Sequence, residues 1–188
     1  MRFIGDVHTK IQEYLKIIES TDESIQVGDF GIGFREEIVL SKGHRAIRGN
    51  HDNPILCESL DYIIPDFSYL NNIFFVGGAS SWDRRSRVEG IDWWPEEERT
   101  IQELNKGIET YNCIDPEIVV SHDCPDFIAR DFFKATDTSR TRQALNAMYE
   151  INQPALWVFG HWHRHLDVKI GRTRFIGLDK LEYRDIEL

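Results

Sequence analysis

Leu156-Trp157-Val158-Phe159-Gly160-His161-Trp162-His163 runs four apolar residues into a glycine and then into two histidines one residue apart. The apolar half, with its aromatic and β-branched members, reads as a buried strand. The glycine lets the chain turn sharply, so the following side chains project from a rigid edge. A lone histidine in such a place is usually structural. The same pattern recurs upstream, however. Phe3-Ile4 precedes Gly5-Asp6-Val7-His8, and Ser24-Ile25-Gln26-Val27 precedes Gly28-Asp29. Arg45-Ala46-Ile47-Arg48 precedes Gly49-Asn50-His51-Asp52, and Ile118-Val119-Val120 precedes Ser121-His122-Asp123. Open α/β sheets gather ligands at the carboxyl ends of their strands. Five such ends carrying Asp, Asn and His predict a two-metal site.

Between these runs the apolar spacing is helical. Ile11 to Ile18 places its apolar side chains on one face, and a stretch from Pro95 to about Glu109 sets Ile101, Leu104 and Ile108 three and four residues apart. Its leading Glu96-Glu97-Glu98 suits the positive end of a helix dipole. A third helix is expected from about Thr138 to Ile151, ending before Asn152-Gln153-Pro154. His165 to Ile170, Gly171-Arg172 and Thr173 to Leu178 alternate polar and apolar positions about a glycine turn, as a hairpin does. Periodicity alone therefore gives the α/β class. The 188 residues are 41% hydrophobic and carry no linker or repeat, which predicts one domain over 1–188.

The five blocks, in this order, resemble the calcineurin-like metallophosphoesterase family, with its D-x-H, G-D, G-N-H-D/E, strand-end His and G-H-x-H motifs. The resemblance runs from Arg2 to about His165. It implies an α/β/β/α sandwich in which two central sheets are flanked by helices. It also implies that Asp6, His8 and His163 hold one metal, that Asn50, His122 and His161 hold another, and that Asp29 bridges them. Carboxylate, imidazole and amide oxygen together suit divalent manganese, iron or zinc, with nickel and cobalt as further candidates, better than calcium or a thiolate-selective metal. The implied reaction is hydrolysis of a phosphate monoester or diester by metal-held hydroxide, with the ions roughly 3.5–4 Å apart and His51 as general acid. An unperturbed histidine pKa near ~6.5 suits that task.

The resemblance has gaps. Thr9-Lys10 follows the first motif where many members continue with glycine, and Gly28-Asp29-Phe30-Gly31 stands in place of G-D-x-x-D-R-G. The Asp that would orient the acid histidine and the Arg that would grip the phosphoryl group are thereby missing. Replacements are sought in a substrate-side insert at about 80–95, among Trp82, Asp83, Arg84, Arg85, Arg87, Asp92, Trp93 and Trp94, where the adjacent Arg84 and Arg85 are candidates for phosphate contacts and Trp93-Trp94 for stacking. Asp52 and Asp123 could orient histidine rings or tether their turns. His44 and His165 are read as structural, outside the ligand set.

The net charge of −10 disfavours long duplex nucleic acid and favours a small phosphorylated substrate, a nucleotide or a phosphopeptide. The three cysteines, Cys57, Cys113 and Cys124, lack C-x-x-C spacing and read as reduced thiols. With no apolar run near ~20 residues and no leader-like start, a cytoplasmic protein without membrane contact is expected. A nuclease, or a non-catalytic phosphate-binding scaffold with the same ligand set, are the alternative readings.

Overall fold

All five motif-bearing runs are strands in the computed structural model, which describes residues 1–34 and 38–188. In chain order the elements are β1 (Arg2–Ile4), α1 (Ile11–Ile18), β2 (Ser24–Gln26), β3 (His44–Ala46), α2 (Pro54–Cys57), β4 (Tyr69–Leu70) and β5 (Ile73–Val76). There follow α3 (Ile101–Ile114), β6 (Ile118–Ser121), α4 (Asp126–Phe133), α5 (Arg140–Ile151), β7 (Leu156–Phe159), β8 (Leu166–Ile170), β9 (Thr173–Gly177) and β10 (Tyr183–Asp185).

They form two sheets, in strand orders β10-β1-β2-β3 and β4-β5-β6-β7-β9-β8. β1, β2 and β3 run parallel, as do β5, β6, β7 and β9, while β10, β4 and β8 close the edges antiparallel. Neighbouring residues on a strand face opposite sides, and the sequence uses both sides. Phe3, Ile25, Phe75, Val120, Val158 and Ile176 meet between the sheets. The alternate residues Phe74, Val119, Trp157 and Phe175 face outward onto Tyr111 of α3, Ile128 of α4 and Leu145 and Met148 of α5. Ile4 and Ala46 likewise meet Tyr14 and Ile18 of α1. This is the expected α/β/β/α sandwich. Strands β5 and β7 are apolar throughout because both of their faces are covered, each large buried side chain contributing roughly 1.5–3 kcal/mol.

α1 has the expected bounds, and α5 begins two residues later than the spacing suggested. The helix expected from Pro95 does not. Pro95–Glu97 is a single 3₁₀ turn, the chain straightens at Glu98, and α3 starts afresh behind Thr100. Thr100 and Glu103 form a reciprocal capping box there, and that local signal outweighs the acidic run upstream. Ile101 is consequently exposed while Leu104, Gly107 and Tyr111 face the core. α2, a single turn of four residues, and α4, short and mixed in polarity, have no counterpart in the apolar spacing. Among the described residues no helix is long and apolar enough to cross a membrane.

Candidate metal centre

The C-terminal ends of β1, β2, β3, β6 and β7 lie side by side, and the seven expected ligands converge there in two groups. Asp6, His8, Asp29 and His163 form one; Asp29, His122 and His161 form the other, with one potential ligand atom from each residue within 4.8 Å of the rest. Asp29 belongs to both. Its Oδ2 lies 3.7 Å from His8 Nε2 and its Oδ1 3.3 Å from His122 Nε2, so the two oxygens face different groups. Asn50 completes the second, its Oδ1 standing 3.0 Å from both His122 Nε2 and His161 Nδ1.

Close approach and backbone strain build this arrangement. A Cβ at Gly28, whose φ is +103°, would overlap the His122 ring, and one at Gly49 would overlap the Asp29 carboxylate. His8, Asp29, His161 and His163 all have φ between 46° and 67°, a region that costs a non-glycine residue of order 1 kcal/mol or more and concentrates at functional sites. Asp52 absorbs the loop ends: its carboxylate accepts from the backbone N–H groups of Phe30, Gly31, Ile32 and Gly49. It tethers turns and orients no histidine.

Other contacts aim the ligands. His122 Nδ1 donates to the Val27 carbonyl at 2.9 Å, which turns Nε2 toward the cluster. Asn50 Nδ2 donates to Ser81 Oγ at 2.9 Å, and Ser81 donates to Glu97, so the amide oxygen is turned inward. Nothing in the sequence pattern pointed to Ser81 or Glu97, since Glu97 reads as one of three helix-start glutamates.

These donors fit divalent ions. Asp6 Oδ2 is fully buried and accepts no well-formed hydrogen bond, although His163 Nε2 is only 2.9 Å away: the atoms converge on a shared point instead of on each other. His8 Nε2 and His163 Nε2, both lone-pair donors in the neutral ring, stand 2.8 Å apart. Burial raises the Asp6 carboxyl, but His163, His8 and the charge of His122 outweigh it and hold it at about 2. Asp29 is lowered as well, His122 prevailing over burial. Conversely, burial lowers His122 while Asp29 more than reverses that, to about 10. Burial lowers His161. Two ionised, buried carboxylates ringed by imidazoles call for cations of higher charge than a proton.

His51 sits at the rim, its backbone N–H on Asp29 Oδ1 at 2.7 Å and its ring edge-on to His8. Burial, then Arg87, His8 and His122, lower the ring to about 4 against the pull of Asp29, well below the value expected from the sequence. Arg87 Nη1 and Nη2 lie 2.9 and 3.0 Å from its two nitrogens, and Asp83 holds the guanidinium by two hydrogen bonds of 2.8 and 2.9 Å. Thus the insert does supply an arginine to the site, but it is Arg87. Arg84 and Arg85 line an adjacent hollow instead.

An open cleft of about 440 Å³ leads to the cluster. Its far wall carries Trp162, stacked on Phe133 with ring centroids 4.9 Å apart and donating Nε1–H to Asp123 Oδ1 at 2.9 Å. Asp123 therefore fixes the wall and not a ligand ring. Trp94 is buried against Phe34, whereas Trp82, unremarked in the stacking expectation, is 87% exposed at the cleft edge. His44 donates to or accepts from Ser24 inside the sheet, and His165 pairs with Glu182, both away from the cluster. All three cysteines are free thiols, Cys57 and Cys124 buried and Cys113 exposed.

Residues 1–178 match the family described as calcineurin-like phosphoesterase superfamily domain. The chain belongs to that superfamily. This calcineurin-like phosphoesterase domain is also similar to a conserved uncharacterized protein from Streptococcus pneumoniae, described as a predicted phosphoesterase, at 13% identity and a TM-score of 0.43 over 95% of this chain and 72% of the other. A Thermotoga maritima protein solved by NMR is similar at 16% identity and a TM-score of 0.42, over 99% of this chain and 92% of the other. No curated protein matches it at a significant level.

Proposed function

We propose that this calcineurin-like phosphoesterase domain is a two-metal hydrolase of phosphate monoesters or diesters on small phosphorylated molecules, with manganese the first candidate metal. The observation that carries this is Asp29, whose two carboxylate oxygens face two separate ligand groups. Bound there, divalent ions supply an activated water for in-line attack on phosphorus and offset the charge of the phosphoryl oxygens.

The chain's own part is positioning. Asp6, His8 and His163 serve one ion, Asn50, His122 and His161 the other, and the cap, tether and carbonyl contacts keep these side chains from relaxing as charge develops. His51 meets the departing oxygen at the rim. Esters whose leaving groups depart as stable anions require least from it. Direct attack of water on phosphorus forms no phosphoenzyme and inverts the configuration at phosphorus.

A screen of metal-supplemented protein against nitrophenyl phosphate, its bis-ester, nucleotides and phosphopeptides tests this, with manganese, iron, zinc, nickel and cobalt added separately. Turnover that chelator abolishes and metal restores supports the reading. Metal binding without turnover of any ester points to a phosphate-binding scaffold, and cleavage of oligonucleotides alone to a nuclease.

A further inference from the structure

Beside the metal cleft lies a second hollow of about 470 Å³, and the two share Ser80, Trp82 and Asp137 as a common wall. Its lining includes Arg84 and Arg85, adjacent and exposed in one 3₁₀ turn, together with Arg140. In a chain of net charge −10, arginines find carboxylates readily. Arg87 is on Asp83, Arg99 on Asp66, Arg172 on Glu117 and Arg174 on Asp167. Arg140 donates to the Glu98 carbonyl and stands near its carboxylate, and Asp137 is taken by Arg142. Among the described residues, Arg84 and Arg85 have no side-chain hydrogen bond or ion pair. The hollow is thus left with two uncompensated cations next to the cleft, and the fully formed Trp82 ring stands exposed on the ridge between them.

We propose that this hollow binds a second anionic group of the substrate, so that the preferred ligands are esters carrying two phosphate-like groups, one at the metal cluster and one on Arg84 and Arg85. The inference rests on the phosphoesterase reading for which group is cleaved, but not for binding. Guanidinium pairs bind phosphate through charge-assisted, bidentate contacts. Trp82 supplies a flat apolar face over which the body linking the two groups passes. The expectation that Arg84 and Arg85 grip the scissile phosphate is thereby replaced by a role one group further along.

Calorimetry on the manganese-loaded protein tests this with non-hydrolysable probes: ethane-, butane- and hexane-bisphosphonates, each against the alkylphosphonate of the same length. Wild type is expected to bind at least one bisphosphonate roughly tenfold or more tighter than its monophosphonate. In R84A/R85A that preference should fall to the about twofold statistical advantage of two equivalent ends, and R84E/R85E should favour the monophosphonate. A wild-type ratio of about two at every length, or a preference that survives in R84A/R85A, overturns the proposal. Nitrophenyl phosphate hydrolysis by the wild type, measured in parallel, reports on the phosphoesterase reading alone. If that hydrolysis is missing while the arginine-dependent preference is present, the catalytic reading fails and the second anion site stands.

Discussion

The guanidinium of Arg87 spans the His51 ring, Nη1 2.9 Å from Nδ1 and Nη2 3.0 Å from Nε2, while Asp83 grips its other side. The lone pairs of an imidazole diverge, so one guanidinium cannot bond both nitrogens in the ring plane, and the contact is a clamp across that edge of the ring. The superfamily motif that would orient this histidine through an aspartate is shortened in this chain to Gly28-Asp29-Phe30-Gly31. Arg87→Ala should therefore release the ring and lower kcat by roughly 10–100-fold, with metal content unchanged and Arg87→Lys recovering part of the loss. Steady-state kinetics with metal analysis on the same samples measures both.

His51 itself is testable through the leaving group. His51→Ala should keep both ions, since no ring atom of His51 lies in either ligand group. It should slow alkyl phosphate esters by roughly 10²-fold or more while sparing nitrophenyl esters, whose leaving group departs without a proton. A linear free-energy plot across alcohols of graded acidity should steepen in the variant. Equal losses on both classes would remove His51 from the leaving oxygen.

Ser81 and Glu97 turn the Asn50 amide oxygen toward His122 and His161. Ser81→Ala should weaken metal binding by about 10–100-fold, the usual cost of losing a ligand's orienting partner. Titration with manganese, followed by the paramagnetic relaxation of water, reads the affinity directly.

Behind the site, Asp66 pairs with Arg48 at 2.9 Å and Arg99 at 2.6 Å, with Asp66 and Arg48 both almost fully buried. Burial raises the Asp66 carboxyl, but the two arginines outweigh it and leave it lowered. A carboxyl depressed on folding contributes stability above its unfolded pKa of about 3.9, and that contribution is lost as pH falls through the folded value. Asp66→Asn, which strands Arg48 without its counter-charge, should cost on the order of 3–5 kcal/mol at neutral pH. The gap between wild type and variant should shrink once the pH drops below about 4. Urea unfolding at pH 7 and in acid checks both statements.

The strands and ligands were legible because each rests on local chemistry. A run such as Leu156–Phe159, apolar on both faces, can only be a covered strand, and a ligand after its glycine follows from the turn. The α/β/β/α order followed from the motif resemblance. What escaped was set by contacts distant in sequence. Ser81 meets Asn50 across 31 residues and Arg87 meets His51 across 36, and neither pairing leaves a periodic trace. Among three neighbouring arginines, the backbone around one 3₁₀ turn decides that Arg87 meets His51 while Arg84 and Arg85 line the adjoining hollow. The Pro95 helix start failed for the opposite reason, since the Thr100–Glu103 capping box is a local signal that the acidic run obscured. Left-handed backbone at His8, Asp29, His161 and His163 falls on residue types that tolerate it better than most, but type alone does not single out these positions.

The most direct measurement is the metal content of protein equilibrated with manganese and freed of excess ion, for wild type and Asp29→Ala together. Asp29 is the residue both ligand groups share, so wild type should hold two ions per chain, and the variant should lose both sites' tight binding at once while remaining folded by circular dichroism. Two ions retained in Asp29→Ala, or no more than one in the wild type, would contradict an aspartate-bridged pair.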